Sequence, residues 1–157
     1  MEKVVLGIDP GYTATGFAVA RTAQNRISLI DCGYVALPAD KHLSERIGQF
    51  FTFFDKKITD HAINSLVLET PFLGKNAQTF LKLGYLRGVL YLLADKHHLA
   101  IQEFAPREVK QALTGFGGAQ KDQVARVIAT LFPQLPPQKK EDVTDAIAVT
   151  LCGIWRQ

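Results

Sequence analysis

Hydrophobic positions in the first forty residues come in short runs broken by turn residues. Val4 to Ile8 is a β-branched apolar run that stops at Asp9-Pro10-Gly11. Residues 16–20 and 27–37 repeat the strand pattern, with turn chemistry at Gly11 and at Gln24-Asn25. Three strands with such short connections predict an antiparallel meander. Residues 43–61 change to helical periodicity, which brings Leu43, Ile47, Phe50, Phe51, Phe54 and Ile58 to one side as core anchors. Residues 65–69 (SLVLE) read as a buried strand ending in an acid. A loop over 70–75 leads to a long helix over about 76–97 and a fifth strand over 100–104. Short helices follow near 106–113 and 121–131, then a proline-rich stretch around 133–137 and a last helix over about 141–155. Strands that alternate with helices require parallel pairing with helices on the sheet's faces. The expectation is an α/β fold: a five-stranded mixed sheet, three antiparallel strands then two parallel, flanked by helices. With no internal repeat and no dividing linker, residues 1–157 read as one domain.

Composition sharpens this picture only in part. At 47% hydrophobic and 21% charged residues, the chain has the material for a core and is not a disordered sequence. No apolar run approaches the roughly 18–20 residues of a membrane span, and the first residues lack the pattern of a signal peptide. Cys32 and Cys152 are too few for a disulfide scaffold and lack zinc-ligand spacing, so they read as free thiols in a reducing cytoplasm. The net charge of +3 is concentrated. Between residues 101 and 140, Arg107, Lys110, Lys121, Arg126, Lys139 and Lys140 outweigh Glu103, Glu108 and Asp122 and carry the whole excess. Such a basic stretch suits an anionic partner, although a solvated face is the commoner reason for one.

Against this basic background four carboxylates stand out. Asp9 and Glu69 each end a hydrophobic strand, and two parallel neighbours would deliver both acids to one carboxyl-end edge, where open α/β sheets place ligands. Asp142 and Asp145 are three apart on the last helix and share a face. Each acid has a plain structural alternative: a turn before Pro-Gly for Asp9, an ion pair for Glu69, a helix N-terminus for Asp142. Together, four negative charges in one cleft repel unless cations lie between them, and two divalent ions would balance them. Oxygen-only ligands favour Mg²⁺ or Mn²⁺ over zinc. Paired metal ions held by carboxylates are suited to in-line displacement at phosphorus, with Lys110 or Lys121 available to a scissile phosphate.

Four segments carry a resemblance. GIDPGYTATGFAV (7–19), ETPFLGKNAQTFLKLGYLRGV (69–89), APREVKQALTGFGGAQKDQV (105–124) and EDVTDAIAV (141–149) resemble, in colinear order, the motifs of the RuvC family of bacterial Holliday-junction resolvases. The resemblance implies the ribonuclease H-like fold. It implies a homodimeric, Mg²⁺-dependent endonuclease that cuts a four-way DNA junction symmetrically, with two ions per subunit, Mn²⁺ as a substitute, and RuvA and RuvB as branch-migration partners. It places Asp9, Glu69, Asp142 and Asp145 on the family's active-site acids, and Lys110 and Lys121 on basic positions at or near the scissile phosphate. Phe72 falls on the aromatic that stacks against a base of the opened junction. Lys75, Asn76 and Lys82 fall on backbone contacts of the adjoining loop and helix, with Arg87 beside them. Two alternatives remain at this level: a ribonuclease H-like nuclease for other nucleic acids, and a non-catalytic junction-binding relative.

Overall fold

The computed structural model describes residues 2–24, 26–71, 74 and 76–156. Its strands are β1 (Lys3–Asp9), β2 (Ala14–Ala23), β3 (Arg26–Ala36), β4 (Ser65–Glu69) and β5 (Ala100–Phe104). Its helices are α1 (Leu43–Asp60), α2 (Ala77–His97), α3 (Pro106–Thr114), α4 (Lys121–Leu131) and α5 (Glu141–Trp155). The sheet order is β3-β2-β1-β4-β5. The β1–β2 and β2–β3 pairs are antiparallel, and β4 pairs in parallel with both β1 and β5. The mixed five-stranded sheet expected from the sequence is therefore the one that forms. No helix among the described residues is long and apolar enough to cross a membrane.

Side chains alternate between the two faces of each strand, and this alternation decides where the acids point. Leu6, Ile8, Phe17, Val19, Leu66 and Leu68 pack with Phe50, Phe54, Leu90 and Leu93 of α1 and α2. Val5, Ala18 and Val67 face the other way, into a second core with Val109, Ile128, Ala146, Val149 and Leu151 of α3, α4 and α5. Asp9 has the parity of Val5, and Glu69 that of Val67. Both acids therefore emerge on the α5 face, at the end of adjacent central strands.

The tight seat of α5 on that face depends on glycine. Gly16 is the cross-strand partner of Asp9. A Cβ at Gly16 would collide with the backbone carbonyl of Asp142, and one at Gly7 would collide with Thr150. The first turn of α5 thus rests directly on β2, beside Asp9. Gly16→Ala must displace helix backbone rather than a flexible side chain, an overpacking that costs about 1–3 kcal/mol. We expect its thermal midpoint to fall by roughly 2–4 °C per kcal/mol. A variant that melts as the wild type does would mean that this close approach is not required.

The structure revises one local expectation and specifies another. The buried stripe of α1 is Arg46, Phe50, Phe54 and Ile58, while Leu43 is exposed. Arg46 stacks on Tyr12, with its guanidinium carbon 3.6 Å from the ring centre, and donates to the Tyr12 carbonyl. Its long stem and planar head fill a core-edge position that periodicity assigns to an aliphatic residue. Gly11 serves the turn after β1 by its size, because its φ is not positive and a Cβ there would strike the Ala14 carbonyl. Thr15 secures that turn: its hydroxyl donates to the Gly11 carbonyl at 2.9 Å and accepts from the Gly11 N–H at 3.1 Å.

Candidate active site

The four acids come within electrostatic reach of one another from three elements. Asp9 and Glu69 come from the ends of β1 and β4, and Asp142 and Asp145 from the first turns of α5, where the helix dipole favours negative charge. All four are half-buried. The Asp9 carboxyl is pushed up to about 7, chiefly by burial and then by the charges of Asp145, Glu69 and Asp142, with Lys121 opposing. Burial and the Asp145 charge raise Glu69, against Lys110 and Lys121. Asp145 is also raised, first by burial; Lys121 pulls it down, and Glu141 and Asp142 push it up. Burial is the first cause for all three, and the mutual repulsion of the carboxylates adds to it.

Two hollows adjoin Glu69. One, of about 270 Å³, lies between Glu69, Asp145, Lys110 and Lys121, against an apolar wall of Val109, Val124 and Ala148. The other, of about 220 Å³, is bounded by Asp9, Glu69, Leu83 and Arg87 among others. A wider hollow of about 480 Å³ lies at the far end of the sheet, by Thr22, Arg26 and Trp155. Its lining includes no acid, so the chemistry belongs to the two smaller ones. Among the described residues no three His, Cys, Asp or Glu side chains close into a finished cation cage. The acids instead share one field across an open cleft.

Lys121 bridges that field. Its ammonium lies 2.6 Å from Glu141 and 3.9 Å from Asp145. The side chains of Lys121 and Glu141 are 66% and 77% exposed, so their ion pair is worth little and exchanges readily. Lys110 stands on α3, across the hollow. Asn76 caps α2, its side chain accepting from the Thr79 N–H at 3.2 Å. The Lys82 ammonium lies 4.6 Å from the centre of the Tyr12 ring. Phe72 and Lys75 lie outside the described residues. Sequence reasoning named no role for Glu141 as the counter-ion of Lys121, and only its place in the first turn of α5 signals one. Arg87, which the sequence places only beside the loop and helix contacts, donates to the Glu69 carbonyl.

The outward side of α2 is apolar as well as its core side. Leu81, Tyr85 and Leu92 are exposed there, and Gly84 and Gly88 leave open space between them.

Comparisons with known proteins agree with this geometry. A family model described as Crossover junction endodeoxyribonuclease RuvC matches residues 5–153. A crossover junction endodeoxyribonuclease RuvC of Pelodictyon phaeoclathratiforme is 42% identical over 98% of this chain and 80% of its own length. Thermus thermophilus RuvC, solved in complex with a Holliday junction substrate, superposes with a TM-score of 0.92 at 24% identity, over 98% of this chain and 94% of that one. The yeast mitochondrial Holliday junction resolvase Ydc2 follows with a TM-score of 0.71 at 14% identity, over 96% of this chain and 78% of that one. The two structural likenesses speak for the ribonuclease H-like fold, while the family match and the sequence identity speak for descent. The chain belongs to the RuvC family of crossover junction endodeoxyribonucleases.

Proposed function

We propose that this chain is a single-domain, metal-dependent endonuclease that, as a homodimer in the bacterial cytoplasm, resolves four-way DNA junctions by paired symmetric nicking. The observation that carries the reading is the convergence of Asp9, Glu69, Asp142 and Asp145 on one sheet edge beside two lysines. The all-carboxylate donor set fits Mg²⁺, with Mn²⁺ as a substitute. Two such ions, when bound, supply an acidified attacking water and charge for the departing oxygen.

The chain's own residues do the rest. Asp9, Glu69, Asp142 and Asp145 would hold the ions. Lys110 and Lys121 face the same hollow and bind the scissile phosphate, Lys121 by leaving its exposed partner Glu141. Charge that develops on the phosphoryl oxygens is then met by preorganised ammonium groups. Phe72 stacks on a junction base, and Lys75, Asn76 and Lys82 contact the DNA backbone. Hydrolysis leaves 5′-phosphate and 3′-hydroxyl ends that a ligase can seal. Two duplex products need two symmetric cuts, which a two-fold pair of active sites provides. The outward face of α2, with Leu81, Tyr85 and Leu92 around two glycines, is the surface that a second subunit covers. RuvA and RuvB are the branch-migration partners.

The test is incision of a labelled mobile four-way junction with and without Mg²⁺, beside an RNA–DNA hybrid. Metal-dependent cutting of the junction and not of the hybrid is expected. Cleavage of the hybrid alone, or none of either, would overturn the reading. Junction affinity should fall steeply with salt, because phosphate contacts dominate it. Phe72→Ala should slow junction cutting about tenfold, since stacking on a base is worth roughly 1–3 kcal/mol, with an unchanged melting curve. Undiminished turnover would mean that Phe72 does not engage the junction.

A further inference from the structure

The end of β4 has a hydrogen-bonding gap that the sequence itself creates. The parallel β1–β4 ladder stops at the pair Ile8 and Leu68. Its next step would place the Glu69 carbonyl opposite the nitrogen of Pro10, which carries no hydrogen. On the β5 side pairing continues further, the Thr70 N–H donating to the Phe104 carbonyl at 2.9 Å. The Glu69 carbonyl therefore needs a donor from outside the sheet. Arg87, on the inner side of α2, supplies it: Nη1 donates to the Glu69 carbonyl at 2.8 Å. Its Nη2 is ion-paired with Glu103 on β5. The same Glu103 oxygen accepts from the Tyr91 hydroxyl at 2.5 Å. The Arg87 side chain is only 10% exposed, so this is a buried, directional arrangement rather than a surface pair.

We propose that Arg87 is a positioning residue for Glu69: it replaces the ladder bond that Pro10 cannot give and locks the strand end to α2 and β5. The proposal rests on Glu69 being one of the active-site acids. A guanidinium is suited to the task because its planar fork donates in two fixed directions at once. One arm reaches a backbone carbonyl and the other a carboxylate, so α2, β4 and β5 meet through a single side chain. A lysine carries its donors on one nitrogen at the end of a flexible stem, so it cannot reach two separated partners in fixed directions as a guanidinium does. Displacing a catalytic group by about 1 Å costs on the order of 100-fold in rate. Loss of the fork therefore acts on catalysis before it acts on the fold. Tyr91 and Glu103 form the outer part of the device, since they fix the acceptor that aims Arg87.

The test uses the full chain carrying Arg87→Lys. In the metal-free protein, exchange of the Thr70 amide, read by NMR, should be at least tenfold faster than in the wild type. On the junction, affinity should stay within twofold, the single-turnover rate should fall at least tenfold, and half-saturation by Mg²⁺ should move to higher concentration. Wild-type rate together with wild-type exchange would overturn the proposal. Glu69→Gln is run alongside. Should Glu69→Gln cut normally, the reading of the site itself fails. Should it be inactive while Arg87→Lys behaves as wild type, only the positioning role fails. If Arg87→Lys does not fold, Glu103→Gln carries the test, because it keeps an acceptor for Tyr91 while removing the charge that aims Arg87. A folded Glu103→Gln that cuts at the wild-type rate overturns the proposal equally.

Discussion

Asp9→Asn should abolish junction cleavage, by about a thousandfold or more, while leaving junction binding intact. Asp9 ends the central strand β1 and feels Asp145, Glu69 and Asp142 together. An amide there keeps the shape but removes the negative charge that would hold a cation, and active-site groups that act as a unit lose nearly all function when one is removed. Binding is expected to survive because affinity comes from phosphate contacts spread over the junction. The same variant should make the metal-free protein more stable near pH 8, since it removes a partly buried charge that its neighbours repel. Gain of stability with loss of activity is the signature of a group retained for chemistry rather than for folding. Wild-type rates for Asp9→Asn in Mg²⁺ would end the assignment.

A second large effect concerns pH. In the unfolded chain Asp9 titrates at the ordinary 3.8, and in the folded protein at about 7. Below the lower value both states are protonated and the group contributes nothing. Between the two values the folded state holds the extra proton, so stability falls as pH rises, and above about 7 the full penalty is present. That penalty is roughly 4 kcal/mol in all, of which about 2 kcal/mol falls between pH 5.5 and 8.5. The raised Glu69 and Asp145 act in the same direction. The lowered carboxyls of Asp55, Asp60, Asp122 and Glu141 lose their contributions only in more acid solution and stay silent in this window. Metal-free protein should therefore melt roughly 4–8 °C lower at pH 8.5 than at pH 5.5. Mg²⁺ should recover more of the midpoint at the higher pH, because a ligand must first lose its proton. Asp9→Asn should flatten the difference. Equal or higher melting of the wild type at pH 8.5 would contradict a cluster of uncompensated acids.

The two effects share a cause in the way α5 meets the sheet. Gly16 allows the helix backbone at Asp142 to lie against β2, next to Asp9, and so brings acids from distant parts of the chain into one field. The basic residues of α3 and α4 border the same cleft from the opposite side. The lysines and the carboxylates are thereby held on separate elements that face one cleft, with Lys121 within 3.9 Å of Asp145.

Much of this arrangement is written locally. The runs ending at Asp9 and Glu69 need only the period of two and the right-handed βαβ connection to appear at one edge of a parallel pair. The spacing of Asp142 and Asp145 needs only the helical repeat. Strand and helix limits follow from the same periodicities and from Pro and Gly punctuation. By itself, then, the sequence determined the order of elements and the mixed sheet, and it singled out the four acids as candidates. Tertiary structure alone decided how the acids are held. It chose Arg46 over Leu43 for the end of the α1 stripe, gave Gly11 a steric rather than a conformational task, paired Lys121 with Glu141, and filled the gap left by Pro10 with Arg87. The reason is physical. Periodicity describes each residue against its own element, whereas a close approach of backbones, or a guanidinium shared between a helix and two strands, exists only once those elements are packed together.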